Sequence, residues 1–440
     1  MTERLLLPAL IPTYFRAYCI LAKCNFNQIA MKNQLSFTAA AALLLLNACI
    51  SPPPATTRPA SAPPAATPPE KPAGTTAAAV EAPTVTLRPA DWNSLTGWTE
   101  DDIQPAWNAF LQSCAVLKNQ PLWQDTCVQA DSLRGHSSSV LRQFFETRFT
   151  PHQVLNVDGG GEGLITGYYE PLLKGSRKPS RRYRYPIYTA PDELLVIDLG
   201  EIYPELKNMR LRGRLQGRKV VPYYSRAEIV SNPAPLQGRE LLWVDDEIDL
   251  FFLQIQGSGR VKLENGEIVR VGYSDQNGHP YKSIGRVLVE RGELALEKAS
   301  MQGIRAWGQK NPHKLAELLQ RNSSFVFFRE LPAGIPGPLG SLGVPLTAGR
   351  SLAIDPRTVP QGAPVFLATT WPNTDKQLYR LMVAQDTGGA IKGNVRADFF
   401  WGFGPEAADQ AGKMRQTGKM WVLMPAGYVP QTPAPQKTCC

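Results

Sequence analysis

From Asp91 to about Gln153 the apolar residues recur at three- and four-residue spacing. Trp107, Phe110, Leu111 and Cys114 share one face, which predicts an amphipathic helix, and Phe144, Phe145 and Phe149 predict a second. Beyond Leu164 the period shortens. Leu241–Val244, Ile248–Gln256 and Arg260–Glu264 are short apolar or alternating runs that read as strands. Asn265-Gly266 then supplies a two-residue hairpin turn back into Ile268–Tyr273. Helical spacing returns at Ile304 and Trp307, with Ser300 as a cap. Asn311-Pro312 reads as N-cap and first residue of a helix through Leu319. The last hundred residues are strand-like again, at Phe325–Glu330, Leu346–Ile354, Pro364–Thr370, Tyr379–Ala384 and Lys419–Leu423. No internal repeat is visible. The pattern as a whole predicts a mainly β chain with some helices.

The N-terminal ninety residues follow neither period. Residues 51–90 hold eleven prolines among Ala, Thr and Ser, a composition that cannot bury a core and predicts an extended tether over 49–90. A Pro-rich tail over 429–440 closes the chain in the same style. Upstream, Met31-Lys32 opens a short charged region, followed by the apolar run Ala39–Leu46 and then Leu46-Asn47-Ala48-Cys49. That run is short for a membrane span, and a small residue before Cys49 has the form of a lipoprotein lipobox. Residues 1–48 therefore read as a leader with Met31 as the better start, and Cys49 as the site of lipidation. Ile50 stands where Asp would retain a lipoprotein at the inner membrane, so the expected location is the periplasmic face of the outer membrane.

The apolar fraction of 43% is that of an ordinary globular core. Net charge is +9, and about +6 once the leader is removed, which favours anionic partners such as wall polymer or lipid headgroups. Export disfavours nucleic acid as a partner. Cys114 and Cys127 are the two cysteines inside the expected folded region, and an oxidising compartment makes a bridge between them plausible. His136, His152, His279 and His313 have no metal-ligand spacing; no metal and no cofactor is expected. The basic stretches Lys174–Arg184 and Lys207–Lys219 read as solvated loops, with contact to an anionic substrate as the alternative.

Three aspartates stand on turn-rich or Gly-rich ground: Asp355 in SLAIDP, Asp386 in AQDTGG and Asp398 in RADFFWG. Asp355, followed by proline, reads as a structural turn residue. Asp386 is open between that reading and chemistry. Phe399, Phe400 and Trp401 would form a sugar-stacking wall and desolvate Asp398, and desolvation raises a carboxyl toward the range a general acid needs. Asp386-Thr387-Gly388 also matches the aspartic-protease signature, but that chemistry needs two such aspartates and this chain has one copy. Upstream, TGYYEP offers Thr166, Tyr168, Tyr169 and Glu170, and LQIQGSGRV offers Gln256, Gly257 and Ser258. VGYSDQNGHPYKSIG adds Tyr273 and Lys282. Amides, hydroxyls and aromatic faces suit neutral sugars carrying acetamido groups.

Those strings, with GSLGVPLTAGRSLAIDP, MVAQDTGGAIKG and RADFFWGFGPEA, run in order from about residue 160 to 425. They resemble the membrane-bound lytic murein transglycosylase A family. The resemblance implies a double-psi β-barrel built from 91–172 and 328–428, a smaller β-domain inserted over 173–327, and a groove between them. It implies cleavage of the β-1,4 bond between N-acetylmuramic acid and N-acetylglucosamine in peptidoglycan glycan strands, with formation of a 1,6-anhydro ring. Asp398 would be the catalytic acid and then base, Asp386 its support and Asp355 structural. Substrate would be bound by Thr166, Tyr168, Tyr169, Glu170, Gln256, Gly257, Ser258, Tyr273, Lys282, Thr387 and Gly388. Cell-wall synthesis machinery is a further partner class. A lysozyme-like hydrolase, with Asp386 or Glu170 as second carboxylate, and a non-catalytic wall-binding lipoprotein are the competing readings.

Overall fold

The structure, a computed structural model, describes residues 86–206 and 209–429. The leader, Cys49, nearly all of the tether and the tail beyond Val429 lie outside it. The strand β1 (Leu87–Pro89) precedes three helices, α1 (Gln104–Leu117), α2 (Pro121–Ser132) and α3 (Ser138–Arg148). Strands β2 (Phe149–Val154), β3 (Gly163–Glu170), β4 (Leu172–Ser176), β5 (Tyr185–Tyr188), β6 (Leu195–Ile197), β7 (Leu211–Gln216) and β8 (Lys219–Pro222) follow. Next come α4 (Arg226–Ser231), β9 (Glu240–Val244), α5 (Glu247–Gln256), β10 (Ser258–Leu263) and β11 (Ile268–Gln276). Helices α6 (Ile284–Glu290), α7 (Met301–Lys310) and α8 (Pro312–Gln320) lead to β12 (Val326–Glu330). The chain ends with β13 (Ser351–Ile354), β14 (Pro364–Thr370), β15 (Gln377–Asp386), β16 (Arg396–Phe403), α9 (Pro405–Lys413) and β17 (Arg415–Pro425).

Several local expectations are corrected. Ile248–Gln256 is helix α5, not a strand. Asp246 caps it by accepting the Asp249 N–H at 2.8 Å, and Gly257 ends it in the left-handed region at φ +78°. An apolar run alone does not separate a buried helix from a strand; the caps decide. Phe149 opens β2 instead of extending α3, and α2 was not anticipated. Lys207–Lys219 is not simply a loop, because it contains β7. Asn311 does not cap α8 through its side chain; its Nδ2 donates back to the Trp307 carbonyl at 2.9 Å. The Asn265-Gly266 turn does join an antiparallel pair, β10 and β11, with Lys262 opposite Ile268.

The largest sheet has the order β1-β2-β17-β14-β15-β13-β16-β3, and β3 pairs again with β17, so six strands close on themselves. The eleven-residue β17 makes closure possible. Its first part, Arg415–Gly418, pairs with β3, and its later part pairs with β14 and β2. Two pairings in the ring are parallel, β13 with β15 and β16 with β3. Ile165, Leu352, Phe366, Leu381, Phe399 and Val422 pack in its core, which continues into the aromatic cluster of α1–α3. There Trp107 meets Phe144 edge-on at 5.0 Å, a geometry that adds to simple burial. A disulfide between Cys114 and Cys127 ties α1 to α2. Arg350, 3% exposed, forms a buried pair with Asp101 at 2.6 Å and also reaches the Asp102 carbonyl, fastening the segment before α1 to the loop before β13.

A six-stranded sheet of order β12-β11-β10-β4-β9-β5 is built wholly from residues 172–330, and a separate three-stranded sheet is formed by β6, β7 and β8. The closed sheet and the six-stranded sheet meet where β3 runs into β4. Among the described residues no helix is long and apolar enough to cross a membrane.

Candidate active site

Strands β16 and β3 run parallel with Asp398 opposite Thr166 and Phe400 opposite Tyr168. Alternation along a strand therefore sets Arg396, Asp398 and Phe400 on one face beside Thr166 and Tyr168. On the other side of β16 lies β13, whose Ala353 is the register partner of both Asp398 in β16 and Asp386 in β15. A single small residue thus separates the two aspartates across the sheet.

The Thr166 hydroxyl donates to Asp398 Oδ1 at 2.6 Å and accepts from Arg396 Nη2 at 2.9 Å. Asp398 is half-buried above the apolar group Tyr168, Leu346, Ala353, Ile391 and Phe400. Burial raises its carboxyl above the ordinary range; the Thr166 hydrogen bond and the Arg396 charge oppose this, and the nearby Asp386 charge adds to it. Asp386 is also raised, again by burial. The N–H groups of Ser341 and Thr387, each at 2.9 Å from its Oδ1, and the Tyr168 hydroxyl, at 3.1 Å from Oδ2, act against that rise. Burial, followed by the Asp386 and Asp398 charges, holds the Tyr168 hydroxyl well above its ordinary value, so it remains a donor. The result is one open carboxyl with one oxygen occupied, next to a second carboxyl whose oxygens both accept hydrogen bonds.

The sequence-derived residues divide into four groups. Thr166, Tyr168, Asp386 and Asp398 come together directly. Thr387 and Tyr273 flank them through Arg210, whose Nη2 donates to Thr387 Oγ1 at 2.8 Å while its guanidinium lies 5.6 Å from the Tyr273 ring centre. Gly388 follows in the same loop. A third group, Tyr169 and Gln256, lines a cavity of about 160 Å³ with Gly167, Tyr281, Ser283 and Met301. By alternation along β3 this cavity lies on the face opposite Asp398. Lys282 is exposed beside it, ahead of α6. Gly167 is required here, because a Cβ would come within 2.7 Å of Trp401 Nε1.

The fourth group is structural, and for Glu170 and Ser258 burial corrects the assignment to substrate. Glu170 is 1% exposed and paired with Arg260 at 2.8 Å and Arg270 at 3.2 Å, so its carboxylate faces protein, not a groove. Ser258 is buried in β10, and Gly257 is the left-handed end of α5. The aromatic wall is corrected too. Phe399 and Phe400 are 1% and 2% exposed and face opposite sides of β16 as packing residues. Phe400 contributes to desolvating Asp398 without offering a face to sugar. Trp401 is half-buried, with Trp371 5.4 Å away and its Nε1 on Met414 Sδ at 3.3 Å. Asp355, 1% exposed, is bound by Arg357 and the Gly393 N–H and shares no hydrogen bond with Asp386 or Asp398. Burial works to raise it, but Arg357 and the Gly393 and Arg357 N–H groups outweigh that and hold its carboxyl at about 2. It thereby fastens the turn after β13 to the loop before β16.

Arg396, Ser341 and Arg210 were not found by sequence reasoning. Arg396 carries the one available signal, since it stands two residues before Asp398 and shares its face once the segment is read as a strand. Among the described residues no group of three or more His, Cys, Asp or Glu side chains is arranged to hold a metal.

Two family models match the chain, the MltA specific insert domain over residues 164–329 and the 3D domain over 350–424. Membrane-bound lytic murein transglycosylase A of Escherichia coli K12 is 34% identical over 300 residues, covering 66% of this chain and 73% of that protein. The crystal structure of MltA from Neisseria gonorrhoeae in its monoclinic form superposes with a TM-score of 0.68 at 40% identity, over 79% of this chain and 94% of that one. E. coli MltA with bound chitohexaose superposes with a TM-score of 0.54 at 30% identity, over 72% and 90% of the two chains. The mainly β architecture with its accessory helices is therefore that of these structures, and the chain belongs to the membrane-bound lytic murein transglycosylase A family.

Proposed function

We propose that this protein is a peptidoglycan lytic transglycosylase that cleaves the β-1,4 bond between N-acetylmuramic acid and N-acetylglucosamine and leaves a 1,6-anhydromuramic end. The observation that carries the reading is the half-buried Asp398 carboxyl, raised by burial, with Oδ1 occupied by the Thr166 hydroxyl. That hydrogen bond leaves Oδ2 as the oxygen that carries the proton. Asp398 gives this proton to the departing glycosidic oxygen as the C1–O bond breaks and positive charge develops at C1 of the muramic sugar. The same oxygen, now a carboxylate, takes the proton of that sugar's C6 hydroxyl as the hydroxyl oxygen bonds to C1. Holding the internal nucleophile beside C1 replaces attack by a separate water, an advantage worth several kcal/mol when alignment is good. Asp386 has the role of a positioning residue: it orients Tyr168 and adds negative potential that keeps Asp398 protonated. Hydrolysis would need a second carboxylate free to activate water. The burial of Glu170 between two arginines speaks against that residue.

In this reading the closed six-stranded sheet is a double-psi barrel assembled from 91–172 and 328–428. The inserted domain over 173–327 supplies the facing wall of the glycan groove, through Tyr273 in particular. Lipid on Cys49 and the proline-rich tether hold the enzyme on the periplasmic face of the outer membrane, within reach of the wall. Cell-wall synthesis machinery remains the partner class to test.

The test is a digest of purified peptidoglycan read by mass spectrometry. Products one water lighter than the corresponding reducing muropeptides are expected. Asp398→Asn should lower turnover about 10²–10⁴-fold with the fold intact. Reducing products of full mass would make the enzyme a hydrolase, and normal turnover by the variant would remove Asp398 from its role.

A further inference from the structure

The small sheet β6–β7–β8 shares no strand pairing with either larger sheet, yet one arginine from its approach reaches the candidate site. Arg212 in β7 anchors that sheet. Its Nε lies 2.9 and 3.0 Å from the two oxygens of Asp275, and both side chains are largely buried. Arg210, two residues earlier, extends further, over the Tyr273 ring to the Thr387 hydroxyl next to Asp386. Its charge is felt at Asp386, where it lowers the carboxyl against the effect of burial. Arg210 is exposed, and among the described residues it forms no ion pair with a carboxylate. The other arginines of the region are engaged: Arg212 by Asp275, and Arg396 by Thr166 and the Leu164 carbonyl.

A guanidinium held by an aromatic face and one neutral hydroxyl keeps most of its five donors for a planar anion. Resting on the proposed transglycosylase reading, we propose that Arg210 is the specificity-determining residue that takes a carboxylate carried by the muramic sugar and so favours murein glycan over neutral N-acetylglucosamine polymer. That carboxylate has two sources. It belongs to the lactyl group of a peptide-free muramic residue or to the stem peptide of a substituted one. In either case Arg210 exchanges the Thr387 hydroxyl for a charge-assisted pair and remains stacked on Tyr273. Its position beside Asp386 places the recognised sugar at the reacting centre and not at a distant subsite.

The experiment is a calorimetric titration of the full chain in the Asp398→Asn background, whose slowed turnover keeps the ligand intact while binding is read. The ligands are chitohexaose, peptide-free murein glycan fragments and peptide-bearing murein fragments. Arg210→Gln should weaken binding of a carboxylate-bearing ligand about tenfold and of chitohexaose less than about twofold. The gap should narrow as salt screens the pair. Loss confined to peptide-free fragments assigns the lactyl carboxylate, and loss confined to peptide-bearing ones assigns the stem; both support the proposal. Equal loss for all three ligands would reduce Arg210 to a prop for the Thr387 loop, and no loss for any would remove it from recognition. Either result overturns the proposal. Failure of the transglycosylase reading shows separately, as an intact wild-type chain that releases no anhydro product from murein.

Discussion

Asp398 is a residue whose usefulness conflicts with its stability. Burial favours its protonated form in the folded state, so folding raises its pKa above the ordinary 3.8. For a raised group, the linked stabilisation is fully present below the unfolded-state value and is lost as pH rises through the folded-state value. At neutral pH the folded protein therefore bears the cost of holding a proton on the buried carboxyl, or of burying its charge, which an amide does not impose. Asp398→Asn should raise the melting temperature at neutral pH, and the gain over the wild type should shrink as pH falls to and below the unfolded-state value of 3.8, under which the native carboxyl is protonated in both states. Calorimetry across that range checks it; an unchanged or lower melting temperature at neutral pH would mean that burial does not dominate this carboxyl. Wild-type cleavage should fall over the same upper limb as Asp398 loses its proton. Asp355 shows the opposite balance. There, hydrogen bonds outweigh burial, and the carboxylate has no proton to give. Two aspartates from similar-looking sequence thus have opposite environments, and the difference lies in Arg357 and the Gly393 N–H.

At the scale of the element, the helical layer is fastened to the barrel by the Asp101–Arg350 pair as well as by apolar packing. Arg350 bonds both Asp101 oxygens and the Leu381 carbonyl, while Asp101 also accepts the Leu381 N–H. Arg350→Ala leaves a buried carboxylate without its cation and should cost about 3–5 kcal/mol, read as a lower denaturation midpoint. A shift near zero would mean the side chain is replaced by water. This pair was invisible in the sequence, because its members are 249 residues apart and nothing local marks either as buried. Much of the element pattern was legible, including α1, the β10–β11 hairpin and the bounds of β14, since spacing and turn chemistry are local. The failures have local causes as well: α5 was misread because its apolar run was weighed without its Asp246 cap and Gly257 stop. In the site, Asp398, Asp386, Thr166 and Tyr168 were legible through their motifs. Arg210 and Ser341 were not, because three-dimensional approach alone brings them to Asp386 and its neighbour Thr387. Glu170 misled for the same reason, since its motif gives no sign of the two arginines that enclose it.

Across the whole molecule, Glu170 is the hinge pin in charge terms. It ends β3 of the barrel and holds Arg260 of β10 and Arg270 of β11 in the six-stranded sheet. Glu170→Gln should destabilise the protein by about 2–3 kcal/mol, because two guanidinium groups lose their anion. Cleavage per folded molecule should persist, and its loss in a folded variant would return Glu170 to the chemistry. The barrel that carries Asp398 has a further property, which concerns time. Thr166 and Asp398 are 232 residues apart along the chain, and the ring closes only when β17 joins β3 to β14. Contacts of such separation form late, after a large loop-closure entropy has been overcome. A nascent or half-delivered chain can fold its early helices but has no reacting centre, because the carboxyl and the hydroxyl that orients it have not yet met. An enzyme that cuts a load-bearing polymer is thereby inert until β17 has closed the ring.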